Sequence, residues 1–284
     1  MFDTLTTRPD PIAYFIAVFP LSLVALAVGY FYAARYGRAK DDKAGWAFGL
    51  GQAAIFALIA LILGFSFSFA AGRFEARRAL VVVEADAIRT AYLRAGFLPP
   101  AKTARFRNLL IEYTKTRLDA YAEVGDIRAE RLSIAEGKGF QGQLWAMAAS
   151  AARRDPRSPF YADVTRSVID VINVSDEQLA ALTNHVPRTI IGIILLCTIV
   201  GALLLGLTFG HARAPNGLLS TIFCLLFAAT VFTIIDLDHP QGGLIGVDVL
   251  PLADTLSDMT NAPATKLIRA HTSVLERAEP VPTH

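Results

Sequence analysis

Four stretches of this chain carry no charge for about the thickness of a bilayer. They run from about Ile12 to Ala33 (IAYFIAVFPLSLVALAVGYFYA), Trp46 to Ala71, Thr189 to Phe209 (TIIGIILLCTIVGALLLGLTF) and Gly217 to Ile235, and none has an Asp, Glu, Lys, Arg or His in its interior. A helix of roughly 20 apolar residues spans the hydrocarbon core, because every backbone polar group there must be satisfied within the segment. The pattern predicts an all-α integral membrane protein with four transmembrane helices. An apolar share of 54%, above that of ordinary soluble domains, fits this reading. The first block is longer than the roughly 7–15 residues of a signal-peptide core and has no strongly basic flank, so it is expected to be retained as a helix.

The links RYGRAKDDKAG (35–45) and GHARAPN (210–216) are short enough to be turns on one side of the membrane. The N-terminus, residues 72–187 and the C-terminal segment then share the other side. The expected organisation is transmembrane helices 1 and 2 over residues 1–71, a helical domain over 72–187, helices 3 and 4 over 188–236, and a C-terminal segment and tail over 237–284. Basic residues flank the helices on both sides, so charge asymmetry does not fix the orientation. The large region is expected to be cytoplasmic, with the protein integral to the plasma membrane (the inner membrane in a bacterium).

Between the second and third blocks the sequence turns amphipathic. Phe74, Val81, Ala85, Ile88 and Tyr92 recur at three-, four- and seven-residue spacing, one apolar stripe of a helix. LPP at 98–100 and RDPRSP at 154–159 mark breaks between helices. No proline interrupts LILGFSFSFAAGRFEARRALVVVEADA (61–87), so a single helix is expected to leave the apolar segment and enter water.

Chemistry is sparse. GKGFQG (137–142) matches G-x-G-x-x-G literally, but helical sequence lies on both sides where a dinucleotide site needs a preceding strand, and a turn between helices is expected. The five histidines are scattered, the two cysteines lie inside apolar blocks, and no catalytic or metal-binding spacing is present. No enzyme activity, cofactor or metal is expected. A net charge of +2 without a long basic run gives no support to nucleic-acid binding. Ionisable groups inside the blocks, usual in proton-coupled carriers, are missing. The mild polar residues there (Gln52, Ser66, Ser68, Thr198, Ser220, Thr221, Thr230, Thr233) suit hydrogen bonds between helices, and Gly206 and Gly210 permit close helix packing. Asp236 and Asp238, just past the fourth block, can reach the interface.

Ala57, Leu61 and Phe65 form an i, i+4, i+8 row on the second block, continued near its end by Ser68, Phe69 and Gly72. Two readings fit: a stripe packed against neighbouring helices, or apolar rings facing a pore that gates by dewetting. In the second reading Arg73, Arg77 and Arg78 would raise the local anion concentration in a vestibule below the constriction.

Two segments resemble the bestrophin channels and their bacterial relatives, the bestrophin-like membrane proteins. GFSFSFAAGRF (64–74) has a glycine–aromatic pair, an apolar run, then Arg and an aromatic. DHPQGGLIGVDVLPL (238–252) resembles the bestrophin turn, with Asp238, Pro240 and Gly242, then Asp248 and a Leu-Pro-Leu run. RFEARRALVVVEADAIRTAYLRAGFLP (73–99) is similar to the bacterial relatives, and the order of elements agrees. The resemblance implies a homo-oligomer, a pentamer, with one pore for small inorganic ions, lined by the second helix and set in the lipid bilayer. It implies a neck at Ala57, Leu61 and Phe65, with Ala57 a wider ring than the family's bulky residue, and an anion-conducting pore. It also implies a cytoplasmic helical region. Only Asp248 is acidic within LIGVD, so a calcium clasp is not expected. The competing expectation is a non-conducting scaffold or sensor that binds a partner through the helical domain.

Overall fold

The computed structural model describes residues 11–36, 42–122, 127–183, 186–213, 215–238 and 244–261, and for 42–47, 127–130, 183 and 188 the backbone only. Eight α-helices are present among them: α1 (Pro11–Tyr36), α2 (Asp42–Arg94), α3 (Pro100–Ala122), α4 (Ile127–Arg154), α5 (Pro159–Thr183), α6 (Arg188–Ala212), α7 (Gly217–Asp238) and α8 (Leu250–Asn261), with a 3-10 turn at Ala95–Phe97. No strand occurs among the described residues. Four helices have the length and composition to cross a membrane: α1, the first part of α2, α6 and α7. At 53 residues α2 is about 80 Å long, well beyond the roughly 30 Å hydrocarbon core. The chain divides into two compact units, one of Met1–Glu75 with Asn184–Gly246, the other of Ala76–Thr183 with Val247–His284.

In the first unit α1 crosses α6 where side chains are missing. A Cβ on Gly206 would overlap the backbone carbonyl of Leu26, and one on Gly29 that of Leu203. A Cβ on Gly210 would lie 2.7 Å from that of Ala33. The small residues therefore bring two backbones into contact, which is how helices associate when lipid is as apolar as their side chains. Val18, Ser22, Leu26, Gly29 and Ala33 form the buried row of α1. Of the mild polar residues, Gln52 makes the expected interhelical bond: its Nε2 donates to Thr208 Oγ1 at 2.6 Å and to the Leu204 carbonyl at 3.2 Å. Ser66, Thr198, Thr221, Thr230 and Thr233 instead donate to the carbonyl four residues back in their own helices. A short hydroxyl reaches its own preceding turn more easily than a neighbouring helix.

The second unit is built on the amphipathic stripe. Val81, Ala85, Ile88 and Tyr92 are buried with Phe106, Leu110 and Tyr113 of α3, Leu144 and Ala148 of α4, Val164 and Val168 of α5, and Leu252 and Met259 of α8. GKGFQG is not a turn: α4 runs through it without interruption. Each glycine costs the helix about 1 kcal/mol against alanine. Packing outweighs that cost, because Leu144 and Ala148 are core residues and the buried Gln141 donates to Tyr113 Oη at 3.3 Å.

A polar cluster lies inside this apolar unit. Glu84, fully buried, accepts from Tyr113 Oη at 2.9 Å and from Arg117 Nε at 2.8 Å. Arg117 also donates to Gln178 Oε1, and Gln178 Nε2 donates to the Leu80 carbonyl at 3.1 Å. The charges are paired and hydrogen-bonded, the condition under which a buried ion pair survives. Burial works against the Arg117 charge, but Glu84, Tyr113 and Tyr121 outweigh it and hold the guanidinium above its ordinary range. Burial, then the Glu84 charge, pushes the Tyr113 hydroxyl upward. Burial is also the main cause at Tyr121, which is pushed up to about 12.

Two outcomes follow from this packing. Gly206→Val should destabilise the first unit by about 1–3 kcal/mol or more, since the clash is with backbone and no rotamer relieves it; thermal unfolding in detergent, followed by helical circular dichroism, reads the loss. The second concerns alkaline pH. Folded Tyr121 keeps its proton above the ordinary value of 10.0, so its contribution is complete below pH 10 and lost as pH rises through about 12. Denaturation midpoints measured across this range should fall steadily, with tyrosinate absorbance lagging behind that of the unfolded chain.

Candidate functional site: the two faces of α2

Successive residues of a helix are about 100° apart, so α2 can be resolved into faces. Ile59, Leu63 and Ala70 belong to a buried cluster with Ile194 of α6 and Ala228, Val231 and Ile235 of α7. Ser66, in the same row, is buried as well. This is the stripe that packs within the chain. Ala57, Leu61 and Phe65 are not part of it. Leu61 is 54% and Phe65 58% exposed, and Ala57, Ser68, Phe69 and Gly72 are exposed with them. The mean direction of the exposed row lies about 180° from that of the packed stripe. Within one chain the row is therefore largely exposed.

The three arginines expected to act together are separated by the same geometry. Arg73 faces the packed side, where its Nη1 lies 3.7 Å from Asp238 Oδ1. Arg77 is only 6% exposed and its Nε donates to the Ala181 carbonyl at 3.1 Å. That carbonyl belongs to the last turn of α5, where helical acceptors have no partner of their own. Arg78 is exposed. Two of the three arginines therefore make contacts inside the fold.

At the end of α7 the helix continues to Asp238, and Asp236 and Asp238 are buried within the fold. Asp236 accepts the amides of Leu244 at 2.9 Å and Ile245 at 3.0 Å. Both oxygens of Asp238 lie within 3.0 Å of the Val186 amide, just ahead of α6. Beyond a helix end the backbone still needs partners, and these carboxylates supply them. Bonds of this charged type contribute about 1.5–3 kcal/mol each. Pro240 and Gly242 lie outside the described residues. Asp248 is exposed and accepts the Leu250 amide at 2.9 Å, an Asx turn leading into α8. No group of three or more His, Cys, Asp or Glu placed to hold a metal occurs among the described residues.

Sequence reasoning passed over the Thr208 partner of Gln52, the buried Glu84–Arg117 pair and the amide-binding role of Asp236 and Asp238. The last had a signal: Asp-x-Asp closing an apolar helix.

The comparisons with known proteins bear on this arrangement. The model of the bestrophin-like domain matches residues 19–252. A bacterial bestrophin homologue from Klebsiella pneumoniae, known from its crystal structure, superposes with a TM-score of 0.62 at 18% identity, covering 89% of this chain and 99% of the other. Two point variants of that homologue superpose with TM-scores of 0.63, also at 18% identity, covering 88% and 89% of this chain and 99% and 97% of theirs. At such identity the superpositions establish the fold alone. No curated protein matches. With the domain match spanning most of its length, this all-α membrane chain belongs to the bestrophin-like family.

Proposed function

We propose that this chain assembles as a homo-oligomeric ion channel, with five copies around one axis and α2 lining the pore. Leu61 and Phe65 form its hydrophobic neck, and Ala57 a wider ring above them. The second unit lies in the cytoplasm and the first in the plasma membrane. The observation that carries this reading is the exposed row of α2, which faces directly away from the stripe that packs within the chain. A row of bulky apolar groups on a helix already packed on its opposite side is available to a shared axis.

The chemistry suits a gate rather than a binding site. From Phe48 to Gly72 the helix has no charged residue. An ion passing Leu61 and Phe65 must shed water without replacement ligands, so the barrier depends on width and wetting. The two rings are one helical turn apart, about 6 Å along the axis, which makes a short constriction. The alternative is a non-conducting scaffold or sensor, in which the same row faces lipid.

The test is current across a planar bilayer holding the purified oligomer. Leu61→Ala combined with Phe65→Ala should raise unitary conductance severalfold. An unchanged conductance would remove the neck from these residues, and silence in both wild type and variant, from intact oligomer, would favour the scaffold.

A further inference from the structure

Charge is unevenly distributed over the second unit, and the fold gathers what the sequence spreads out. Residues 94–107 and 150–163 hold six Arg, one Lys and two Asp, a net charge of +5 against +2 for the whole chain. The two stretches meet at one end of the unit. Lys102 Nζ donates to Ser150 Oγ at 3.0 Å, Arg94 Nη1 donates to the Asp163 carbonyl at 3.3 Å, and the ring centroids of Phe97 and Phe160 lie 5.1 Å apart. Arg105, Arg153, Arg154 and Arg157 are exposed on the same stretches.

Elsewhere in the unit Arg89, Lys115, Arg117 and Arg166 each lie against a carboxylate. Among the described residues none of the seven cations at this end does so. Arg94 and Lys102 bond the neutral groups just named and Arg107 the Tyr92 carbonyl at 3.3 Å, which fixes a side chain without cancelling its charge. Part of the pattern is structural: Arg94 closes α2, and Arg153 and Arg154 close α4, where cations complement the helix dipole. That account does not reach Lys102, in a first turn of α3 that has no acid, nor Arg105 and Arg107 just beyond it.

We propose that this end of the second unit is a docking surface for an acidic protein segment that carries an aromatic or aliphatic side chain. It has the anatomy of a protein interface: Phe97 and Phe160, 45% and 56% exposed, form an apolar centre, and arginines supply the charge beside it. Arginine grips a carboxylate with two parallel bonds and is more weakly hydrated than lysine, so six arginines to one lysine favour carboxylate recognition. The two rings are tilted 49° and packed on each other, so they offer no parallel open faces to a run of stacked bases. The surface stands whether or not α2 lines a pore, since all of its residues lie within the second unit.

The experiment uses the full-length protein in nanodiscs of neutral lipid and a short fluorescent poly-glutamate peptide containing Phe, with affinity read by anisotropy at low salt and folding checked by circular dichroism. Arg153→Gln with Arg154→Gln should raise the Kd about threefold or more, and added salt should weaken wild-type binding. Lys115→Gln with Lys138→Gln, an equal loss of charge elsewhere in the unit, should leave the Kd unchanged. Phe160→Ser should weaken the Phe-bearing peptide and leave poly-glutamate without Phe unaffected. Equal weakening by the two double variants means unspecific attraction and overturns the surface, as does absence of binding to wild type. Indifference to Phe160→Ser overturns the apolar anchor. Tighter binding of a single-stranded oligonucleotide or of phosphatidylserine vesicles, lost in Arg153→Gln with Arg154→Gln, overturns the protein partner.

Discussion

In hydrocarbon a backbone amide has no water to turn to, and the first unit is organised around that fact. Its helices keep their own ladders, and most of their hydroxyls fold back on the preceding turn. What joins one helix to another is close approach, at Gly29, Gly206 and Gly210, with the Gln52–Thr208 bond as a directional addition. The constraint changes where the ladders stop. At the end of α7 two carboxylates take over the bonding, Asp236 for the amides of Leu244 and Ile245 and Asp238 for that of Val186. Charge is excluded from the apolar spans, and at the end of α7 it serves backbone groups that lack helical partners.

The second unit solves a different problem. Its helices bury ordinary apolar stripes, yet enclose Glu84 and Arg117 with Tyr113 and Gln178. Removing one partner of such a pair costs about 3–5 kcal/mol, since the other is left charged and dry. Replacing the whole cluster with apolar groups is often neutral, so its value lies in constraint more than in net energy. A guanidinium that must meet Glu84 and Gln178 together admits few alternative registers of α2, α3 and α5. Gln141 extends the same network to α4, which helps keep a glycine-rich stretch helical.

Hydrophobic patterning made the helices legible: the charge-free blocks became α1, α6, α7 and the first part of α2, and the stripe through Val81, Ala85 and Ile88 became the core of the second unit. Composition and period depend on many residues at once and tolerate local noise. Features resting on one partner were not legible. GKGFQG reads as a turn by glycine content, and only the burial of Gln141 and Leu144 explains its helix. Nothing in IIDLDHP specifies which amides its aspartates will bind, because those amides arrive from residues 186, 244 and 245. The row at Ala57, Leu61 and Phe65 was visible as a row, but its side of the helix depended on which neighbours the fold supplied.

The arginines show how a short charged run is divided by the fold. Read linearly, RFEARR is one basic cluster next to an apolar helix. On the helix, Arg73 lies beside Asp238, Arg77 is buried on the Ala181 carbonyl, and Arg78 is exposed. This distribution has an energetic basis. Asp238 is buried and binds the Val186 amide, so a cation beside it offsets a charge that lipid-side surroundings would otherwise penalise. Net charge along a segment is a poor guide to the field around a helix when the fold consumes part of that charge.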